Sequence, residues 1–271
     1  MSRILFFWLL LALAVNPVLA ADLAGQSADR LTRVLQSHSL RVCIWPDYYG
    51  ITYRNPKTQQ LTGIDIDLAR QLAQDLGSGV RVTFVDSSFA RLIEDITADR
   101  CDIAMFAIGI TPARAEKLRF TRPHLQSDIY AVTTRSNRRI KEWADIDQPG
   151  VVVAVAKGTY HEPVMRQRLR QAKLVALDTP FAREQEVESG RADVFMTDYP
   201  YSQRMLANVD WARLVSPPGV FHLTPYAYAM QPGDDRWHER VEQFVRDIKS
   251  DGRLLDAGRR NHLEPIVNLK N

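Results

Sequence analysis

The chain has 271 residues, of which 45% are hydrophobic and 25% charged, and its formal net charge is +3. These proportions are ordinary for a globular protein and exclude disorder and collagen-like repeats, while so small a positive excess, with no lysine/arginine-rich run, leaves no electrostatic footprint for nucleic acid. Two cysteines are too few for a disulfide scaffold or a four-cysteine zinc site.

Residues 1–21 read as a secretory signal peptide: Arg3 gives a positive start, Ile4 to Val15 form an apolar run, Asn16-Pro17 break it, and Val18-Leu19-Ala20 put small residues at the cleavage position. The run is shorter than the ~20 apolar residues a spanning helix needs. No cysteine beside the cut suggests a lipid anchor. The expectation is an exported protein with no membrane span.

Strands and helices then alternate. Leu40 to Ile44 is a short run of β-formers. Ile64 to Leu76 carries Leu68, Leu72 and Leu76 at helical spacing, with Gly77 as a stop. Val80 to Val85 reads as a strand, Phe89 to Ala98 as a helix, and Cys101 to Ile108 as a strand. The order returns in Val151 to Ala156 (strand), Glu162 to Gln171 (helix), Leu174 to Leu177 (strand), Ala182 to Ser189 (helix) and Val194 to Met196 (strand). Phe89-Ala90-Arg91 before Arg100-Cys101-Asp102 finds an echo in Phe181-Ala182-Arg183 before Arg191-Ala192-Asp193. Trp237, Val241, Phe244, Val245 and Ile248 then follow helical spacing up to Gly252, and Leu254-Leu255 begin a further short helix. The fold class expected is α/β, with two similar lobes, each a mainly parallel sheet flanked by helices. Ligands of such sheets sit beyond the carboxyl ends of the strands.

Those ends carry Trp45, Asp47, Tyr48 and Tyr49; Asp86 and Phe89; Gly109 through Arg114; Gly158-Thr159-Tyr160; and Asp198. Thr111 is a good N-cap and Pro112 suits the first helical position. Arg114 in that turn can grip a carboxylate with two parallel bonds, or can make an ordinary surface salt bridge. Asp198 can accept from an ammonium group, or simply cap the helix that follows it.

With those residues in hand, the chain resembles bacterial extracellular solute-binding proteins of family 3, which serve amino-acid uptake, from about Leu40 to Leu255. The motifs are Leu40-Arg41-Val42 with Tyr48; Leu61-Thr62-Gly63-Ile64-Asp65-Ile66-Asp67-Leu68; Asp102-Ile103-Ala104-Met105 through Ile110-Thr111, Arg114 and Phe120-Thr121; and Val153 through Lys157-Gly158-Thr159, Gly190-Arg191-Ala192-Asp193 and Asp198. The resemblance implies that Arg114 holds a ligand α-carboxylate, that Asp198 holds its α-ammonium, that Tyr48 and Phe89 sandwich its side chain, and that Thr159 contributes bonds from the second lobe. Residues 22–131 with 226–271 would form lobe 1 and residues 132–225 lobe 2, with a hinge near Tyr130–Thr134 and Leu223–Tyr228. The implied partner is a small amino acid or similar carboxylate, delivered by a monomeric periplasmic protein to the permease of an ABC transporter, or reported to a membrane receptor.

Four departures from the family pattern bear on the ligand. Gly109 stands where the family has threonine or serine, Trp45 where binders of basic amino acids carry an acid, Phe106-Ala107 where the pocket edge is small, and Tyr160 where a second small hydroxyl residue is usual. They point to a larger, more aromatic pocket, in which Asp47 or Asp86 could pair with a basic group. An enzyme of the same fold, a periplasmic cyclohexadienyl dehydratase, shares local strings such as Met196-Thr197-Asp198, but such enzymes need a glutamate shortly after that aspartate. Here Tyr199-Pro200-Tyr201 follow, with no carboxylate before Asp210. No cofactor and no metal are expected; His161-Glu162 and His238-Glu239 lack the second histidine of a zinc helix and read as surface residues. Cys43 and Cys101 would be offset by about three positions in parallel strands, roughly 10 Å of rise, so two buried thiols are expected rather than a disulfide.

Overall fold

The computed structural model describes residues 29–270; the expected signal peptide lies outside them. The first lobe is built on a six-stranded sheet. Strand β1 (Ser39–Ile44) runs parallel to β5 (Arg81–Asp86) on one side and to β6 (Ile103–Gly109) on the other. Strand β14 (Thr224–Met230) lies antiparallel against β6, and β7 (Arg119–Phe120) and β8 (Leu125–Ser127) pair with β14. The second lobe repeats the plan. Strand β10 (Val152–Ala156) is parallel to β11 (Lys173–Leu177) and β12 (Val194–Thr197), and β9 (Tyr130–Thr134) is antiparallel to both β12 and β13 (Ala212–Val215). A small antiparallel sheet of β2 (Asp47–Tyr48), β3 (Thr52–Arg54) and β4 (Leu61–Thr62) extends the first lobe. β9 sits wholly in the second sheet and β14 wholly in the first. The chain therefore passes between sheets at residues 128–129 and 216–223, a few residues before the boundaries drawn from sequence.

The internal echo has a physical cause. Asp102 accepts the N–H of Arg41 at 2.8 Å and returns its own N–H to the Arg41 carbonyl at 2.8 Å. Asp193 does the same for Val152, at 2.8 and 2.9 Å. In each lobe an aspartate thus ties the entry of the third strand to the start of the first and sets their register, Val42 opposite Ile103 and Val153 opposite Val194.

Helix α2 (Ile64–Leu76) follows α1 (Arg30–Ser37) and packs Leu68 and Leu72, fully buried, under the first sheet. It starts at Gly63, where φ is +129° and an added Cβ would come within 2.2 Å of the Ile51 carbonyl oxygen, so only glycine fits. The first turn supplies Asp65, a fully buried carboxylate that accepts from the Ala107 N–H at 2.8 Å and the Tyr228 hydroxyl at 3.1 Å, with His124 Nε2 at 3.3 Å. Ala107 is left-handed, with φ of +48°, and the pairing of β14 shifts register opposite it, between Ala227 and Ala229. Such a conformation persists where surrounding bonds hold it; the Asp65 carboxylate does so here, next to the cleft. Helix α8 (Asp235–Ser250) buries Trp237, Val241, Phe244, Val245 and Ile248, and α9 (Arg253–Arg260) follows it.

The cysteines correct the expectation. Cys43 and Cys101 form a disulfide with Cα atoms 5.6 Å apart. Counting along a straight strand fails because β6 begins only at Ile103: the chain bends at Asp102, where the carboxylate folds onto Arg41, and the bend brings Cys101 beside Cys43. The bond spans 58 residues of sequence, a constraint worth about 4 kcal/mol in the chain-entropy model. Replacing both cysteines by alanine should lower the thermal midpoint by roughly 8–16 °C for a chain of this size; an unchanged melting curve would contradict the cross-link.

Candidate functional site

The carboxyl ends of the two sheets face each other across one cleft. The first lobe contributes Trp45 after β1, Tyr48 in β2, Phe89 after β5 and Ala107 in β6; the second contributes Thr159, Tyr160, His161, Pro180, Arg183, Thr197, Asp198 and Tyr201. The cavity between them measures about 20 Å³, the room of about one water molecule. Sequence reasoning expected a more aromatic and larger pocket. It is aromatic, but the rings fill it. Trp45 and Tyr48 each pack edge to face on Phe89 and lie tilted against each other, with centroids 5.1–5.8 Å apart, and Phe106 continues the wall 5.1 Å from Phe89.

Arg114 lies beside this wall. Helix α4 (Pro112–Ala115) is capped by the Thr111 hydroxyl, which accepts from the Arg114 N–H at 3.3 Å. The side chain turns inward rather than to the surface and is 6% exposed. Its guanidinium carbon stands 5.4 Å from the Phe89 ring centroid. It donates to the Gly109 carbonyl at 2.7 Å and, across the cleft, to the Gly158 carbonyl at 2.9 Å. Burial pushes its pKa down to about 10, so it remains a cation at neutral pH. Two of the five guanidinium N–H groups are used by these bonds.

Asp198 is the opposing acid. It caps α7 (Tyr199–Asn208) by accepting from the Tyr201 N–H at 3.2 Å, and it also accepts from the hydroxyls of Tyr48 and Tyr226, the latter at 2.9 Å. The cap and the recognition reading therefore coexist on one carboxylate. Burial pushes Asp198 up, and the bonds from Tyr48, Tyr226 and the Tyr201 amide offset part of that shift. Burial likewise holds Tyr48, Tyr160 and Tyr226 well above the usual phenol range, so they stay hydroxyl donors.

Gly109 and Tyr160 are coupled. A Cβ on Gly109 would lie 3.2 Å from Cδ1 of Tyr160 and 3.0 Å from the Thr224 methyl. The missing side chain makes the space the Tyr160 ring takes, and the Tyr160 hydroxyl then reaches that of Tyr226 at 3.2 Å. Thr159 turns its hydroxyl to its own strand, donating to the Ala156 carbonyl at 2.7 Å. Gly158 has φ of +76°, and a Cβ there would come within 2.8 Å of the Ala90 backbone on the other lobe. The lobes thus meet backbone to backbone.

All eight sequence candidates (Arg114, Asp198, Tyr48, Phe89, Trp45, Gly109, Thr159 and Tyr160) line or adjoin this cleft. Asp86 does not: it pairs with Arg54 and is 57% exposed, while Asp47 is exposed on the outer hairpin. His161 is a second correction, since it is not a surface residue but 5% exposed within the lining. Burial, with the Arg183 and Arg114 guanidiniums, holds its pKa well below the usual imidazole range, so the ring is neutral. Arg183, on α6 (Pro180–Glu188), was missed as a site residue although its Phe-Ala-Arg string was visible. It is 2% exposed, donates to the Met196 carbonyl at 2.8 Å and the Thr197 hydroxyl at 3.1 Å, and packs its guanidinium against the rings of Phe195 and Tyr201. Tyr226 was missed because it comes from the returning strand β14, far along the chain from the other residues of the cleft.

Comparisons with known proteins agree with this architecture. A solved ancestral amino acid-binding protein, described as a precursor of cyclohexadienyl dehydratase, superposes with a TM-score of 0.77 at 30% identity, covering 85% of this chain and 98% of that one. The cyclohexadienyl dehydratase of Pseudomonas aeruginosa is 30% identical over 92% of each chain. An L-cystine-binding protein of Escherichia coli is 24% identical over 72% of each. The family profile described as bacterial extracellular solute-binding proteins, family 3, matches residues 40–260. A two-lobed fold, a cleft between lobes and a match over most of its length place this chain in that family of bacterial extracellular solute-binding proteins.

Proposed function

We propose that the protein captures an amino acid or related small carboxylate in the periplasm by closing its two lobes over it, and presents it to the permease of an ABC uptake transporter. The observation that carries this reading is a pair of buried opposite charges from different lobes at one cleft, Asp198 of the second in its lining and Arg114 of the first beside its aromatic wall. A carboxylate would replace water on the free guanidinium N–H groups of Arg114. An ammonium would compete with Tyr48 and Tyr226 for Asp198. Tyr48, Phe89 and Trp45 would cover the side chain, and Gly109, Thr159 and Tyr160 would shape its far wall. Because the cleft has room for about one water, admitting an amino acid requires the lobes to part. The chain passages at residues 128–129 and 216–223 supply the hinge, a common device for trapping ligands. The moving bodies are then close to residues 22–131 with 226–271, and residues 132–225. A membrane receptor in place of a permease would use the same cleft.

The similarity to a dehydratase supports a second reading, an enzyme. Against it, the lining contains one carboxylate, Asp198, with both oxygens hydrogen-bonded. The nearby Glu184 accepts from Tyr201 and from Arg204, the latter at 2.7 Å, so neither carboxyl group at the cleft is unengaged. Turnover of arogenate or prephenate by the purified protein would decide for the enzyme.

Two outcomes follow from the binding reading. Arg114→Ala should weaken the best amino acid found in a thermal-shift panel by about 2–5 kcal/mol, since it leaves a desolvated carboxylate unpaired, a factor of roughly 30 to 5,000; equal affinity in calorimetry would sink the clamp. Gly158→Ala should hold the lobes apart, seen as a larger radius of gyration with ligand present. Gly190→Ala, with the same backbone strain (φ +75°) and open space around it, should close normally. Indistinguishable scattering from the two variants would show that the approach to Ala90 does not limit closure.

A further inference from the structure

This inference rests on the solute-binding reading and concerns what the ligand must carry. Hydrogen-bonding capacity in the cleft is unevenly satisfied. Asp198 has three of its roughly four acceptor positions taken by Tyr48, Tyr226 and the Tyr201 amide. The unmet groups belong to the second lobe's cationic side. Arg183 Nε is buried without a partner, and the buried His161 ring has no more than the Thr197 backbone beside it as one. Both residues line the cavity, at 2% and 5% exposure. Buried polar atoms are nearly always hydrogen-bonded, and each exception calls for a cause. Arg183 is the cation of the cavity lining and Asp198 its carboxylate, and Arg114 stands beside the lining against the Phe89 ring.

Arg183 is built to stay in place. Its guanidinium carbon lies 4.8 and 4.5 Å from the centroids of Phe195 and Tyr201, two rings set nearly perpendicular to each other, and one backbone carbonyl and one hydroxyl oxygen fix its fork. Fixed, desolvated donors of this kind favour a carboxylate strongly over its uncharged amide. The neutral imidazole of His161 adds one N–H donor. Its ring lies 4.1 Å from that of Tyr160, which keeps it turned along the cleft wall.

We propose that Arg183 and His161 form a second acid-binding subsite, so that the preferred ligand is a dicarboxylate or acidic amino acid, one carboxylate on Arg114 and the other on the Arg183/His161 wall. The second carboxylate of such a ligand would meet the Arg183 guanidinium of the lining, and the first would meet Arg114 beside it. The same subsite disfavours basic side chains, which would face two buried guanidiniums.

The test uses isothermal titration with two matched pairs, L-glutamate against L-glutamine and glutarate against valerate. Each pair shares its carbon chain and differs in the second acid. The wild-type protein should bind the diacid of each pair at least tenfold more tightly. His161→Phe keeps a ring of similar shape, and Arg183→Met keeps bulk beside Phe195 and Tyr201; either should cut the preference to within threefold by weakening the diacid of each pair more than its partner. Far-UV circular dichroism confirms that each variant is folded, and His161→Phe carries the test if Arg183→Met is not. Glutamine bound as tightly as glutamate would overturn the subsite. If none of the four binds while other amino acids do so through Arg114, the subsite fails and the solute-binding reading stands. Binding of no amino acid or carboxylate at all would overturn both.

Discussion

Asp198 organises the cleft because it is a carboxylate taken almost wholly out of water. A buried charge is tolerated only where it is hydrogen-bonded or paired. Here the partners come from both lobes: the Tyr201 amide from its own helix, and Tyr48 and Tyr226 from across the cleft. Bringing the lobes together therefore solvates the acid with protein hydroxyls. Arg114 mirrors it from the other side, bridging Gly109 of its own lobe and Gly158 of the other. The contact that shuts the cleft is polar and directional, and the aromatic wall of Trp45, Tyr48 and Phe89 excludes water from it. Such a contact is one that a ligand of matching charges can replace bond for bond.

The scaffold beneath is stiff where the cleft needs it to be. Asp102 and Asp193 lock strand entry in the two lobes by the same pair of bonds. Asp65 holds Ala107 in its left-handed turn from beneath the first sheet. The disulfide pins β1, whose end carries Trp45, to the entry of β6, whose end carries Gly109. Export makes such a bond chemically available.

Much of this was legible in the sequence, for identifiable reasons. The parallel strands are buried on both faces and so appear as continuous apolar runs, Val151 to Ala156 being a clear case, and α2 shows its leucine spacing and glycine stop without ambiguity. Residues at strand ends found the cleft because connections in this architecture place them there. The rest depended on contacts between segments distant in the chain. The disulfide depends on a bend made by a side chain folding onto Arg41. His161 read as a surface residue and Arg183 drew no notice as a site residue because their burial comes from contacts the local pattern does not show, His161 against Tyr160 and Arg183 against Phe195 and Tyr201. The size of the pocket was misjudged for the same reason: large residues at Tyr160 and Trp45 suggested a wide wall, but they occupy the space they border.

The chain is similar both to amino acid-binding proteins and to a dehydratase. The claim on which the account stands is that a ligand carboxylate sits on Arg114 between closed lobes. A crystal structure of the protein with the tightest-binding amino acid or carboxylate tests it most directly. The account predicts the ligand carboxylate within hydrogen-bonding distance of the Arg114 guanidinium, covered by Tyr48 and Phe89. A ligand seated elsewhere, with Arg114 still held only by Gly109 and Gly158, would contradict it.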